Sequence, residues 1–305
     1  MLRRFTDFIL KNRLNAIGIT LVCAFIPLIG SISILIAALV TLRKGMFEGA
    51  VLMMVSCIPY LVSYFTYPSG GEIQLALDAV IIMLVINVLT WVFAVILRAT
   101  ENLSRVFQVA TVLGVIAVLV VHALHPDIQM WWQTQLTAYF NKTAQMVGKL
   151  KETALTENTM EIINVAKQYA TGFLVTIILL NALLQLIIAR WWQAVIFNPG
   201  SLQKELYSIR LGYFLGFLFI VGLIVSYQNN KMILDVMPVL YVAFCIAGLS
   251  LIHSLIGLAE LNWLWLILVY VGVVWLFPLS VVILSMVGLL DLGLDIRHRM
   301  RNKIR

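Results

Sequence analysis

The chain has 305 residues, of which 62% are hydrophobic and only 11% are charged, and its formal net charge is +7. Soluble domains average about 45–50% apolar and about 25% charged residues, so this composition excludes an ordinary soluble fold. The net charge does not indicate nucleic-acid binding, because the basic residues lie between and beyond the apolar runs rather than in a polar patch of their own.

Apolar runs follow one another along the whole chain, and a helical run of roughly 20 apolar residues is enough to cross a bilayer. Only helices and closed barrels satisfy their backbone groups in lipid, so we predict an all-α polytopic transmembrane bundle of about 8 to 10 membrane helices. We expect one transmembrane domain over residues 1–305. The runs are 15–42, 47–65, 73–97, 107–124, 172–189, 211–227, 236–259 and 263–290.

The first and last apolar runs are too long for one upright span. The first run follows a basic start but has no A-x-A-like cleavage site, so we expect a retained helix rather than a removed signal peptide. Pro27 and Pro278 lie near the middles of the two runs. Proline kinks or breaks a helix, and each run is therefore either one tilted span or two short helices.

Basic residues predict the orientation, because they concentrate in cytoplasmic loops. Arg43 and Lys44 fall on the cytoplasmic side only if the first run breaks near 27–30. The basic tail at 292–305 falls there only if the last run turns back near Pro278, or if a neighbouring run does not span. We therefore predict that both termini lie in the cytoplasm.

The most polar segment lies at 126–167. Its apolar residues recur at helical spacing, which predicts an amphipathic helix on the extracytoplasmic surface. The segment is either a lid over a binding site or a structural connector.

Polar side chains inside apolar runs are the candidates for function, because an ionisable group at membrane depth costs at least about 2.5–3.5 kcal/mol. Such residues could line a cavity for a small molecule, or each could form a hydrogen bond between helices. Asp235 and Asp291 stand at the ends of runs, where water can solvate them. The candidate substrate-binding residues are Asp78, Asn87, Asn181, Gln185 and His253.

No catalytic residue, metal or cofactor is predicted. His122, His125 and Asp127 could supply part of a metal site at the outer end of a helix, but such a site needs further ligands. The three cysteines lie far apart inside apolar runs, as small core residues do. The chain has no phosphate-binding loop and none of the common hydrolase motifs. We therefore predict that it is not an enzyme.

Two segments carry a resemblance to a known family. Residues 35–50 read LIAALVTLRKGMFEGA, and residues 286–297 read MVGLLDLGLDIR. Both resemble the YybS-like family of uncharacterised bacterial integral membrane proteins. That family is distantly similar to the S components of energy-coupling-factor transporters. The resemblance therefore implies capture of a small molecule between membrane helices and docking on a separate ATPase module.

Two functional hypotheses remain open. In the first, the chain is a small-solute-binding, transporter-like membrane subunit. Because the sequence has no ATP-binding motif, active transport would require a separate membrane or ATPase partner. In the second, the chain is a membrane scaffold or assembly factor, its polar residues only join helices, and its basic tail contacts anionic lipid or a soluble partner. Both hypotheses place the chain in a lipid bilayer, and neither involves nucleic acid.

Overall fold

The computed structural model describes residues 2–26, 29–66, 73–146 and 157–304, which form helices and no strand. The predicted all-α class is therefore confirmed. In chain order the helices are α1 (Leu2–Lys11), α2 (Arg13–Phe25), α3 (Gly30–Lys44), α4 (Met46–Thr66), α5 (Ile73–Thr100), α6 (Leu103–Leu124), α7 (Ile128–Met146), α8 (Glu157–Ala166), α9 (Ala170–Phe197), α10 (Ser201–Tyr207), α11 (Tyr213–Ser226), α12 (Lys231–Leu258), α13 (Leu264–Trp275), α14 (Leu279–Leu294) and α15 (Ile296–Ile304).

Five of these helices, α4, α5, α6, α9 and α12, are long and apolar enough to cross a membrane. The number rises to seven if the bent pairs α1 with α2 and α14 with α15 each form one span. These helices fit a multi-pass membrane protein. The expected eight to ten spans are not confirmed, because α2, α3, α11 and α13 have only 13, 15, 14 and 12 residues. At about 1.5 Å per residue, each is shorter than a hydrocarbon core of about 30 Å.

Both overlong apolar runs are divided into two helices. In the first run, α2 ends at Phe25 and α3 begins at Gly30, and Pro27 lies outside the described residues. In the last run, Pro278 stands between α13 and α14 and follows a cis peptide bond. The helix breaks predicted at these two places are confirmed. The cytoplasmic location of the termini stays a prediction.

The polar segment at 126–167 contains α7 and α8, and residues 147–156 lie outside the described part of the chain. Its side of the membrane stays a prediction, as does the choice between lid and connector.

The chain packs as two compact units. Unit 1 comprises 1–110 and 178–209, and unit 2 comprises 111–177 and 210–305. Helices α6 and α9 each contribute residues to both units. In unit 1 the core surrounds α3, whose residues 36–42 are all buried. In unit 2 the most enclosed helix is α12, which packs along α14.

The backbones of α12 and α14 approach each other closely at two glycines. A Cβ on Gly248 would overlap the Leu284 carbonyl oxygen, and a Cβ on Gly288 would overlap the Phe244 carbonyl oxygen. Small residues permit this approach, which helix association in a membrane depends on because lipid supplies no hydrophobic driving force. We therefore expect these two positions to tolerate no larger residue.

Replacing Gly248 with alanine should lower the unfolding free energy by about 1–3 kcal/mol, because the added methyl group forces two packed backbones apart. Unfolding of the full chain in mild detergent measures the change. Gly293→Ala on α14 is the matched control, since a Cβ there meets no atom within 4 Å. It should leave stability unchanged or raise it by about 0.5–1 kcal/mol. Equal stability of the two variants would contradict the close packing.

Candidate functional site

The five residues predicted to bind substrate lie on three helices of the described chain, α5, α9 and α12. Asp78 and Asn181 are exposed on α5 and α9, and Asn87 is buried on α5. Gln185 is half-buried on α9, whereas His253 lies on α12 in unit 2. Their role in substrate binding stays a prediction.

Asn87 and Gln185 make contacts between helices of unit 1. The Asn87 side-chain amide lies 3.5 Å from Ser56 Oγ and 3.8 Å from Cys57 Sγ, both on α4. Gln185 Oε1 on α9 lies 2.8 Å from Thr90 Oγ1, one turn beyond Asn87 on α5. These polar groups therefore join α5 to its neighbours, as expected if they form hydrogen bonds between helices.

His253 makes two hydrogen bonds within unit 2. Its Nδ1 lies 2.9 Å from the carbonyl oxygen of Leu249 and therefore donates, because a carbonyl oxygen only accepts. In the neutral ring this leaves Nε2 as an acceptor, and the Tyr270 hydroxyl lies 3.3 Å from it. The Nδ1 bond lies within α12, and the Nε2 bond joins α12 to α13.

A polar cavity of about 560 Å³ lies in unit 1, where α3, α5 and α9 end and α10 begins. Its size is within the range of about 300–1,000 Å³ that small-molecule sites occupy. Two arginines and two glutamates face it, so the lining carries no net charge. The lining residues are Leu42, Leu97, Arg98, Glu101, Arg190, Gln193, Asn198, Ser201 and Glu205.

Ionic hydrogen bonds fix the cavity wall. The Arg190 guanidinium forms a two-pronged ion pair with the Glu205 carboxylate. Such bidentate pairs hold both side chains in a defined geometry. Arg98 Nη1 donates to the Thr41 carbonyl oxygen at 2.9 Å and so ties α5 to α3. The buried Ser201 hydroxyl has no hydrogen-bond partner among the described residues. The wall therefore offers a rigid set of donors and acceptors.

A buried polar cluster in unit 2 was not expected from the sequence. Asp235 is fully buried on α12. Its Oδ2 lies 2.9 Å from His122 Nε2 on α6, and its Oδ1 accepts from the Gly172 backbone N–H on α9 at 2.7 Å. A Cβ on Gly172 would overlap the Asp235 carbonyl oxygen, so only glycine permits this approach.

The cluster corrects one interpretation of the sequence. Asp235 is buried rather than solvated at the end of an apolar run, and α12 begins a full turn earlier, at Lys231. His122 contacts Asp235, and within the described ranges no three or more His, Cys, Asp and Glu side chains are placed to hold a metal ion. A buried carboxylate needs partners that replace water, and the imidazole and the N–H supply them.

Asp291 is also buried, contrary to the expectation from the sequence. It lies on α14, which continues past the apolar run to Leu294. Its Oδ2 is 3.3 Å from Nε of Arg210 and 3.1 Å from Nε of Arg297, and Arg210 also pairs with Asp295 at 2.8 Å. This ion cluster ties the start of α15 and the segment before α11 to the end of α14.

No protein-family model, curated protein or solved structure is significantly similar to the chain. The resemblance to the YybS-like family therefore stays a prediction.

Proposed function

We propose that the chain is a small-solute-binding, transporter-like membrane subunit of the bacterial inner membrane, and that its solute binds in the polar cavity of unit 1. The observation that carries this proposal is the cavity itself, with its two arginines, its two glutamates and the buried Ser201 hydroxyl. A lining of balanced charge fits a solute that carries both acidic and basic groups. The resemblance to the YybS-like family agrees with this class. Active transport then requires a separate ATPase partner, because the sequence has no phosphate-binding loop.

The distribution of charge in unit 1 supports a cytoplasmic mouth for the cavity. Arg98 and Arg190 line it, and Arg43 stacks on Phe197 at the ends of the same helices. The amino-terminal helix α1 reaches this end as well, since Trp192 Nε1 on α9 donates to Thr6 Oγ1 at 2.8 Å. By the positive-inside rule, an end that gathers these arginines lies in the cytoplasm together with the N-terminus.

The proposal is tested by purifying the full chain in mild detergent. Mass spectrometry then quantifies the small molecules that co-purify with it. Asn198→Leu and Ser201→Val should each reduce the retained solute about tenfold or more, which corresponds to about 1.4 kcal/mol. Each change replaces a polar lining group by an apolar one without touching the ion pair of Arg190.

Asn181→Leu is the matched control, because Asn181 lies on α9 with the lining residues Arg190 and Gln193, is exposed and does not itself line the cavity. It should retain the solute at the wild-type level. Loss of the solute in Asn181→Leu but not in Asn198→Leu would place binding at the residues predicted from the sequence. Absence of any bound solute in the wild-type protein would contradict solute binding.

A second candidate function is a scaffold or assembly factor, and the hydrogen bonds of Asn87, Gln185 and His253 between helices favour it. In this case a protein partner should co-purify in mild detergent. Its recovery should fall when the exposed Arg299 and Arg301 of α15 are changed to glutamate. Purification of the chain alone would count against the scaffold.

A further inference from the structure

An apolar groove of about 810 Å³ runs along one side of unit 2, where α7, α8 and the start of α9 meet. Its lining includes Trp132 of α7, Ile162 and Val165 of α8, and Phe173 and Ile177 of α9. It is independent of the polar cavity, which belongs to unit 1.

The groove extends along one helix that is a candidate membrane span and one that is not. Helix α9 is a candidate membrane span that begins at Ala170, so Phe173 and Ile177 are suited to contact lipid. Helix α8 has only ten residues and is not a candidate span, and 167–169 separate it from α9. The groove therefore continues from a lipid-facing surface onto a helix that lies outside the span.

The groove presents exposed apolar side chains on α8. Ile162 is 58% exposed and Val165 is 54% exposed. Where this surface faces water, covering it with a long apolar ligand is favourable by about 25 cal/mol per Å². An occupant that enters along Phe173 and Ile177 comes from the bilayer.

The far end of the groove is polar, because Glu161 and Asn158 line it. A carboxylate there accepts hydrogen bonds and attracts a cation. The Glu161 carboxylate therefore favours a lipid headgroup with an ammonium group over one whose only charged group is a phosphate.

We propose that this groove binds the hydrocarbon chain of a membrane lipid drawn partly out of the bilayer, with an ammonium-bearing headgroup such as ethanolamine at Glu161. The acyl chain follows Ile177, Phe173, Val165 and Ile162, and the headgroup lies beyond them. Bilayer lipid is the occupant because the groove is continuous with the lipid-facing side of α9.

Photo-crosslinking tests the proposal. The full chain is reconstituted in vesicles that contain phosphatidylethanolamine with a photoreactive group on its acyl chain, and the labelled peptides are mapped by mass spectrometry. Labels are expected on residues 158–177. Ile162→Glu and Val165→Glu should each reduce that labelling about tenfold or more, the factor equivalent to about 1.4 kcal/mol.

Met160→Glu is the matched control, since Met160 is exposed on α8 but does not line the groove. In Met160→Glu, residues 158–177 should be labelled to the same extent as in the wild-type protein. Ile162→Gln, which adds no charge, should also reduce labelling and guards against a folding defect in the charged variants. Equal labelling of all variants, or crosslinking of the wild-type groove to a second copy of the chain, would overturn the proposal.

The headgroup is tested by comparing two probes. Glu161→Gln should reduce labelling by the phosphatidylethanolamine probe and leave labelling by a phosphatidylglycerol probe unchanged. Equal reduction with both probes would contradict recognition of the ammonium group.

Discussion

Replacing Asp235 with alanine is expected to lower the unfolding free energy by about 2–6 kcal/mol, because each of two buried donors left without its acceptor costs about 1–3 kcal/mol. The substitution leaves His122 Nε2 and the Gly172 N–H without the acceptor that each has in the folded protein. Asp235→Asn should cost less, since its side-chain oxygen can still accept from Gly172. Chemical unfolding of the full chain in mild detergent measures both changes.

Variants of two histidines test whether the loss of stability comes from the contact between His122 and Asp235 rather than from any change of a polar residue. His122→Ala should destabilise the chain, whereas His125→Ala should leave its stability unchanged, because His125 is exposed. In a double-mutant cycle, His122 and Asp235 should couple by about 0.5–3 kcal/mol. Additive single effects would show that the two side chains do not interact.

Asp291→Asn is the second substitution that we expect to lower the unfolding free energy strongly. The Asp291 side chain is only 2% exposed and forms ion pairs with Arg210 and with the buried Arg297. Removing Asp291 leaves the buried charge of Arg297 uncompensated, and the expected loss is about 3–5 kcal/mol. The same unfolding measurement in detergent applies.

Asp295→Asn is the matched control for Asp291→Asn. Asp295 also pairs with Arg210, but its side chain is 49% exposed. Exposed pairs contribute only about 0–1 kcal/mol, because water and salt screen them. Asparagine also tolerates the left-handed backbone at this position, where φ is 48°. If both variants lose the same stability, the burial of Asp291 is not what makes its ion pairs strong.

Hydropathy predicted the helices well because it depends on residues that are adjacent in sequence. Each of the eight apolar runs corresponds to one helix or to two. The positions of the helix ends were predicted less accurately, because an apolar run stops at the first charged residue whereas the helix continues beyond it. Asp235 and Asp291 were misplaced for this reason.

The effect of each proline also depends on its surroundings. Pro278 separates two helices, whereas Pro59 and Pro238 lie inside α4 and α12. A proline removes one backbone hydrogen bond in either case, and packing against neighbouring helices determines whether the helix continues. The number of long spans therefore could not be derived from run lengths alone.

The sequence by itself determined the membrane class and the all-α fold, because these follow from local composition, and its prolines indicated where the two overlong runs divide. Only the tertiary structure decided which polar groups are buried together. Asp235 meets His122 and Gly172 across 113 and 63 residues of chain, and no local pattern indicates that contact. The same holds for the polar cavity, whose walls come from α3, α5, α9 and α10. A polar or charged side chain is buried where partners from other helices replace its contacts with water. Those partners are far apart in sequence and come together only when the chain folds.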